Sequence, residues 1–249
     1  MEWTIFLILI PLGLVAGFLN VLAGGGSLLV LPVLIFLGLP APIANATNRL
    51  AILSQGLSGM AGYQLFQKER LKKYLSLSLW TLPGALAGAF LSVEISELWF
   101  QRILAIILIA ATFLIFFPPK KKLIASSMEL PSSFASKLAL VAFGFYGGFI
   151  QAAAGLVFLL LLSGLGGVSL LESNKLKVSL IVFYTLPVLI FFIWQDLILW
   201  SVGLSLAVTQ ALGGYLAAKF SLKKGEKPIR WGLGLALLVM AGRLLWEVL

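Results

Sequence analysis

Ala23-Gly24-Gly25-Gly26-Ser27-Leu28-Leu29-Val30-Leu31-Pro32 breaks the first of a series of long apolar runs with three consecutive glycines. Glycine relaxes the steric limits on the backbone. A helix that stops at Gly24, Gly25 and Gly26 and restarts at Ser27 aims uncovered N–H groups and a positive dipole end at whatever lies before it, which makes an anion seat. In water such a break is an ordinary turn. At membrane depth it is tolerated only where protein or a water-filled cavity surrounds it. Whether the break lies in a membrane therefore decides the fold.

Composition answers that question. The chain has 249 residues, of which 61% are hydrophobic and only 11% charged, with a mean hydropathy of +1.08; soluble domains carry about 25% charged residues. A helix needs about 20 apolar residues to cross a bilayer, and such runs recur from Trp3 to the C-terminus. An all-α polytopic membrane protein of about 8 to 10 membrane helices is expected. Met1-Glu2 carries no basic leader and the first run ends at no small-residue cleavage site, so that run is expected to stay as a helix. The net charge of +9 sits in short segments between apolar runs, as the positive-inside rule requires, and nucleic acid is not an expected partner. The chain has no cysteine and no histidine. Thiol, disulfide and imidazole chemistry are absent, and neither a metal nor a cofactor is called for.

Apolar runs and breakers mark ten elements. The first five are Trp3–Leu22, Ser27–Leu37, Ile43–Phe66, Tyr74–Val93 and Leu98–Phe117. The second five are Phe134–Ala153, Leu156–Gly166, Lys175–Trp194, Leu197–Lys219 and Ile229–Val248. This divides the chain into a first membrane repeat at 1–117, a linker at 118–133 and a second repeat at 134–249. The halves match at an offset of about 131 residues: Gly13-x-x-x-Gly17-Phe18 falls on Gly144-x-x-x-Gly148-Phe149, Asn20 on Gln151, Gly24 on Gly155 and Asn48 on Ser179, the mark of an internal transporter repeat.

Charge orients the repeats. Fifteen of the 18 basic residues lie in Lys68–Lys73, the linker through Lys137, Lys175–Lys177 and Lys219–Arg230, whereas the turns at Glu94–Glu97 and Asp196 hold only acids. The basic segments and the linker are expected in the cytoplasm, both termini outside, and the repeats inverted. The second elements span about 16 Å at 1.5 Å per residue, half of a bilayer core. The first two elements of each repeat are therefore expected to form a helical hairpin whose tip, Gly24–Gly26 or Ala153–Gly155, reaches mid-membrane. Inversion would bring the two tips face to face.

Beside the tip lies Ala44-Asn45-Ala46-Thr47-Asn48-Arg49-Leu50. Asn45, Asn48 and Arg49 share one helix face and lie near Gln55, and Thr47 adds a hydroxyl. An Arg at the bilayer centre costs about 2.5 to 3.5 kcal/mol on insertion scales. Either a partner compensates it or the side chain snorkels to the headgroups. A planar, permanently charged fork beside amides suits a sulfonate, carboxylate or phosphate. Lys175 and Lys177 read best as positive-inside anchors, and Gln151 in the mirrored tip as the better site candidate. Gly84-x-x-x-Gly88 and Gly213-x-x-x-Ala217 read as close-packing faces. All nine acids lie at loops or element ends, which weighs against cation transport and against a carboxylate proton relay.

The run from Gly17 to Leu53, GFLNVLAGGGSLLVLPVLIFLGLPAPIANATNRLAIL, resembles the signature region of the TauE/SafE sulfite exporter family: Gly24, Gly26, Pro32, Gly38-Leu39-Pro40, Ala44, Thr47 and Asn48 match, with Ala46 where glycine is usual. The second copy is more degenerate, with Ala153 and Leu156 in place of tip glycines. The resemblance implies an inner-membrane permease for sulfite or organosulfonate anions; together with the inverted repeats, alternating access with substrate held at the paired tips is expected. The substrate-binding candidates are Asn20, Gly24, Gly25, Gly26, Ser27, Asn45, Thr47, Asn48, Arg49, Gln55, Gln151, Gly155 and Ser179. An anion channel, or a carrier for another small carboxylate or oxyanion, is the alternative. No enzyme is expected, since Gly25-Gly26-Ser27 lacks a histidine to activate the serine. The lipid bilayer and a small anion are the expected partners, and a homodimer is compatible with the sequence.

Overall fold

The computed structural model describes residues 4–117, 134–158 and 170–224, and the secondary structure within them is helical without strands. In chain order the helices are α1 (Thr4–Ala23), α2 (Ser27–Phe36), α3 (Ala41–Gly62), α4 (Lys68–Ser78), α5 (Leu82–Glu94), α6 (Glu97–Phe116), α7 (Phe134–Phe149), α9 (Leu170–Trp194) and α10 (Trp200–Lys224). Between α7 and α9 a helix α8 begins at 154 and is described to 158. The linker, most of the expected Leu156–Gly166 element and the whole of Ile229–Val248 lie outside the described residues.

The stretches Ile5–Leu22, Glu97–Leu114, Leu171–Trp194 and Trp200–Leu222 are long and apolar enough to cross a membrane. Leu7, Ile106, Phe113, Ile190, Val208 and Trp194 are exposed on helix surfaces, the sidedness of a protein whose solvent is lipid. α3 is 22 residues long, but Asn45, Thr47, Asn48, Arg49 and Gln55 make it too polar to read as an apolar span; all five are buried.

Helix ends differ from the expected bounds by up to five residues, as at α3, α7 and α10, and two changes matter more. Tyr74–Val93 is not one helix. α4 starts inside the basic segment at Lys68, and the chain turns at 79–81 before α5. The cause is local: Pro83 stands in the first turn of α5, the Ser78 hydroxyl donates to the Tyr74 carbonyl and the Thr81 hydroxyl to the Ser78 carbonyl, and the Trp80 and Thr81 N–H groups bond three residues back. A proline without an N–H and hydroxyls that compete for carbonyls end one helix and open another. The second change is that α9 begins at Leu170 rather than Lys175, which moves Asn174, Lys175 and Lys177 from a loop edge into a helix.

Helix pairing is set by small residues. On α5 and α7, a Cβ at Gly84 would lie 2.0 Å from the Val141 carbonyl oxygen, one at Gly88 2.1 Å from that of Phe145, one at Gly144 2.0 Å from that of Thr81 and one at Gly148 1.9 Å from that of Ala85. On α1 and α10, a Cβ at Gly17 would lie 2.2 Å from the Gln210 carbonyl oxygen and one at Gly213 2.1 Å from that of Leu14. Backbones touch at these positions because no side chain intervenes. Gly13-x-x-x-Gly17 and Gly144-x-x-x-Gly148, matched in sequence, thus both serve helix pairing. Gly148→Leu should separate α5 from α7 and lower the thermal midpoint in detergent by several degrees, since overpacking costs about 1–3 kcal/mol. At Gly203 the nearest atoms are side-chain carbons of Leu50 and Thr47 at 3.3 and 3.4 Å, which need give only by a few tenths of an ångström, and Gly203→Ala should shift the midpoint far less than Gly148→Leu.

Remaining contacts fix α3. Its first N–H, at Ala41, donates to the Glu97 carboxylate at 3.1 Å, an acid at a helix N-terminus where the dipole favours it. The Leu199 N–H, one residue before α10, donates to the Thr47 hydroxyl at 3.0 Å. α9 crosses α3 where Gly56 meets Val182 and Gly59 meets Val178.

Candidate functional site

The two breaks in the chain meet. Gly24 has φ +79, and a Cβ there would lie 2.5 Å from the Gly155 Cα; a Cβ at Gly155 would lie 2.3 Å from the Gly24 Cα. The first tip is held by its own residues. Asn20 accepts from the Gly26 N–H at 3.1 Å and donates to the Ser27 hydroxyl at 3.0 Å, so its side chain ties the end of α1 to the start of α2. The second tip has no glycine at its bends: Gln151 and Ala153 take φ of 55 and 56, a region that costs a residue with a Cβ about 1–2 kcal/mol. The Tyr146 hydroxyl donates to the Ala152 carbonyl and braces that turn.

Each tip ends a helix whose last carbonyls need donors. For α7 they come from α3. Asn45 Nδ2 donates to the Phe149 carbonyl at 2.9 Å, and the Arg49 guanidinium donates to the carbonyls of Gly147 at 2.5 Å and Gly148 at 2.7 Å. Arg49 also donates to Gln151 Oε1 at 2.7 Å, which accepts from the Tyr184 hydroxyl at 2.8 Å. The guanidinium lies 5.7 Å from the Phe192 ring centroid, within cation–π range. Arg49 is 0% exposed. Of the two readings left open by sequence, compensation holds: the charge is buried and faces the negative end of a helix dipole, so it does not snorkel.

For α1 the donors come from α9. Asn174 Nδ2 donates to the Leu22 carbonyl at 3.0 Å and Lys177 Nζ to the Val21 carbonyl at 3.1 Å, with Lys177 also donating to Asn174 Oδ1 at 2.7 Å. Lys177 is 0% exposed, and its Cδ stands 3.0 Å from where a Cβ on Gly155 would be. Each facing tip is therefore flanked by an asparagine and a cation from a helix distant in sequence. The expectation that Lys177 is an interfacial anchor gives way to this geometry. Lys175 instead pairs with Glu172, one turn back on the same helix, at 2.5 Å. The signal that could have found Lys177 is the Asn174-x-x-Lys177 spacing, which echoes Asn45-x-x-x-Arg49.

Other candidates lie nearby in different roles. Gly24, Gly25, Gly26, Gly155 and Ser27 are buried in the tips. Asn48 faces α10, where its Oδ1 accepts from Gln210 Nε2 at 3.3 Å. Gln55 is buried with Oε1 unpaired. The Ser179 hydroxyl donates to the Lys175 carbonyl of its own helix at 2.9 Å. Among the described side chains no carboxylate is buried. The described residues hold no cluster of acids able to bind a metal ion.

An all-helical fold with membrane-length apolar helices, built around two facing backbone breaks and two buried cations, is that of a polytopic membrane protein with a polar centre. The chain belongs to the Sulfite exporter TauE/SafE family, whose sequence profile matches residues 9–244, and it is thus a membrane transporter. It is 26% identical over 240 residues to a probable membrane transporter protein of Haemophilus influenzae, covering 96% of this chain and 94% of that one. It is 28% identical over 236 residues to the probable membrane transporter protein ORF9 of a Sinorhizobium species, covering 93% and 88%. To the probable membrane transporter protein YfcA of Escherichia coli K12 it is 28% identical over 249 residues, covering 96% and 89%. No solved structure gives a significant match.

Proposed function

We propose that this transporter carries small sulfur-containing oxyanions, sulfite or organosulfonates, across the inner membrane by alternating access, with the substrate held where the two tips meet. The observation that carries the reading is electrostatic. Arg49 and Lys177 are both fully buried, while no described carboxylate is buried with them. Carbonyl and amide dipoles soften these two charges, but only an anion cancels them, and a water-poor site strengthens that attraction. Such a centre rejects cations and draws in an oxyanion small enough to reach the tips.

The same reading takes residues 1–117 and 134–249 as inverted repeats joined by a cytoplasmic linker at 118–133, with both termini outside. Three features support it. The tips touch. α1 pairs with α10 and α7 with α5 through glycines that correspond in the two halves. Cap donors come from α3 to α7 and from α9 to α1. Elements that brace one another across a pseudo-symmetric centre can rock about it, opening the site to each side in turn. The reading assigns no catalysis to the chain.

The test is flux in proteoliposomes. Labelled sulfite should enter in a saturable manner, be accelerated by unlabelled sulfite inside, and be competed by sulfonates but not by potassium or sodium. Unitary conductance without counterflow would instead make the protein an anion channel. Absence of any oxyanion flux would overturn the reading.

A further inference from the structure

One feature of the buried centre is not used by the caps: an amide pair that makes only half of its bonds. Gln210 of α10 is 0% exposed and Asn48 of α3 is 1% exposed. Gln210 Nε2 donates to Asn48 Oδ1 at 3.3 Å, while Asn48 Nδ2 and Gln210 Oε1 have no partner. Exchanging the oxygen and nitrogen of both amides would reverse the bond and still leave one donor and one acceptor unmade. Seven residues along the same face of α3, Gln55 Oε1 is also unpaired, and so is Arg49 Nε beside Asn48. Thr185 Oγ1 is unpaired too, on α9 between Val182, which meets Gly56, and Phe192, which lies against Arg49. Native interiors leave few polar atoms unsatisfied. Here five of them flank one stretch of α3, from Asn48 to Gly56.

The unmade bonds have a sign. Arg49 Nε and one amide nitrogen need acceptors, which a sulfonate or sulfite oxygen supplies. Whichever way the amides are placed, one atom of the Asn48–Gln210 pair needs a donor, which a bare sulfonate cannot supply. We propose that Asn48 and Gln210 are a substrate-contacting pair that selects oxyanions bearing a hydrogen-bond donor of their own, such as a hydroxy- or aminosulfonate. Gln210 becomes a specificity residue that the local sequence does not announce. The inference rests on the oxyanion reading above and narrows it: the charged end is drawn by the buried cations, and the donor-bearing end lies on the amides.

The test compares two ligands that differ by one hydroxyl. Calorimetric titration of the detergent-purified full chain with 2-hydroxyethanesulfonate and with ethanesulfonate should show the hydroxy compound binding about tenfold tighter, the scale of one satisfied buried acceptor. Gln210→Leu should bring the two affinities together. Gln210→Met, closer in volume and flexible, makes the same comparison should the leucine variant fail to fold. Equal affinities in the wild type, or a preference that persists in the folded variant, would overturn the amide inference alone, and an ordered water would then account for the orphaned atoms. Binding of sulfite alone would overturn the amide inference and leave the oxyanion reading standing, and binding of neither sulfonate nor sulfite would overturn both.

Discussion

Arg49→Ala is expected to reduce sulfite or sulfonate flux in proteoliposomes by at least about 100-fold. The substitution deletes a charge from the centre and also removes the donors to the Gly147 and Gly148 carbonyls and to Gln151. Hydrogen bonds to a charged group are each worth about 1.5–3 kcal/mol. Stripping one partner from a buried charged network costs about 3–5 kcal/mol, and 2.8 kcal/mol is already about 100-fold. Arg49→Lys separates the contributions. A lysine keeps the charge but not the planar fork, so it can serve one of the two carbonyls without the other. It should fold like the wild type by size-exclusion chromatography and retain flux between that of wild type and Arg49→Ala. Wild-type flux in a folded Arg49→Ala variant would remove Arg49 from the site.

Gly24→Val should abolish flux through a different cause. Two penalties combine there. The left-handed φ of +79 disfavours any Cβ, by about 1–2 kcal/mol. In addition, the new Cβ would stand 2.5 Å from the Gly155 Cα and carbonyl carbon, where carbon atoms in contact lie about 3.5–4.0 Å apart. The tips must part by about 1 Å to admit it, enough to misplace every group anchored on them. Gly38→Ala isolates the backbone penalty, because Gly38 has φ +88 with nothing within 4 Å of its would-be Cβ. That variant should lose about 1 kcal/mol of stability, the usual cost of the conformation, and transport normally. Equal behaviour of the two variants would show that tip contact is irrelevant to transport.

These expectations trace back to features of unequal legibility. The hairpin break at Gly24–Gly26, the match of Gly13 and Gly17 to Gly144 and Gly148, and the polar face of α3 are written in local pattern. Glycines at fixed spacing and amides in an apolar run have few uses in a membrane helix. The break between α4 and α5 was equally local, yet the hydrophobic run across it masked the signal of Pro83. Lys177 was misplaced for a related reason. Hydropathy reads a lysine beside Lys175 and Glu172 as the edge of a span, and nothing in its neighbours says that the carbonyls of Val21 and Leu22 wait for it.

By itself, the sequence determined the membrane class, the broken first helix and the family. Those properties depend on composition and on residues within a few positions of one another. Only the tertiary structure decided what the buried polar groups do. Arg49 meets carbonyls 98 and 99 positions away, Lys177 one 156 positions away, and Asn48 meets Gln210 across 162. The ends of α1 and α7 leave carbonyls without intrahelical donors, and inside a membrane these groups have no water to fall back on. Which distant side chain satisfies them is settled by how glycine-faced helices cross, and that is a property of packing rather than of any one segment.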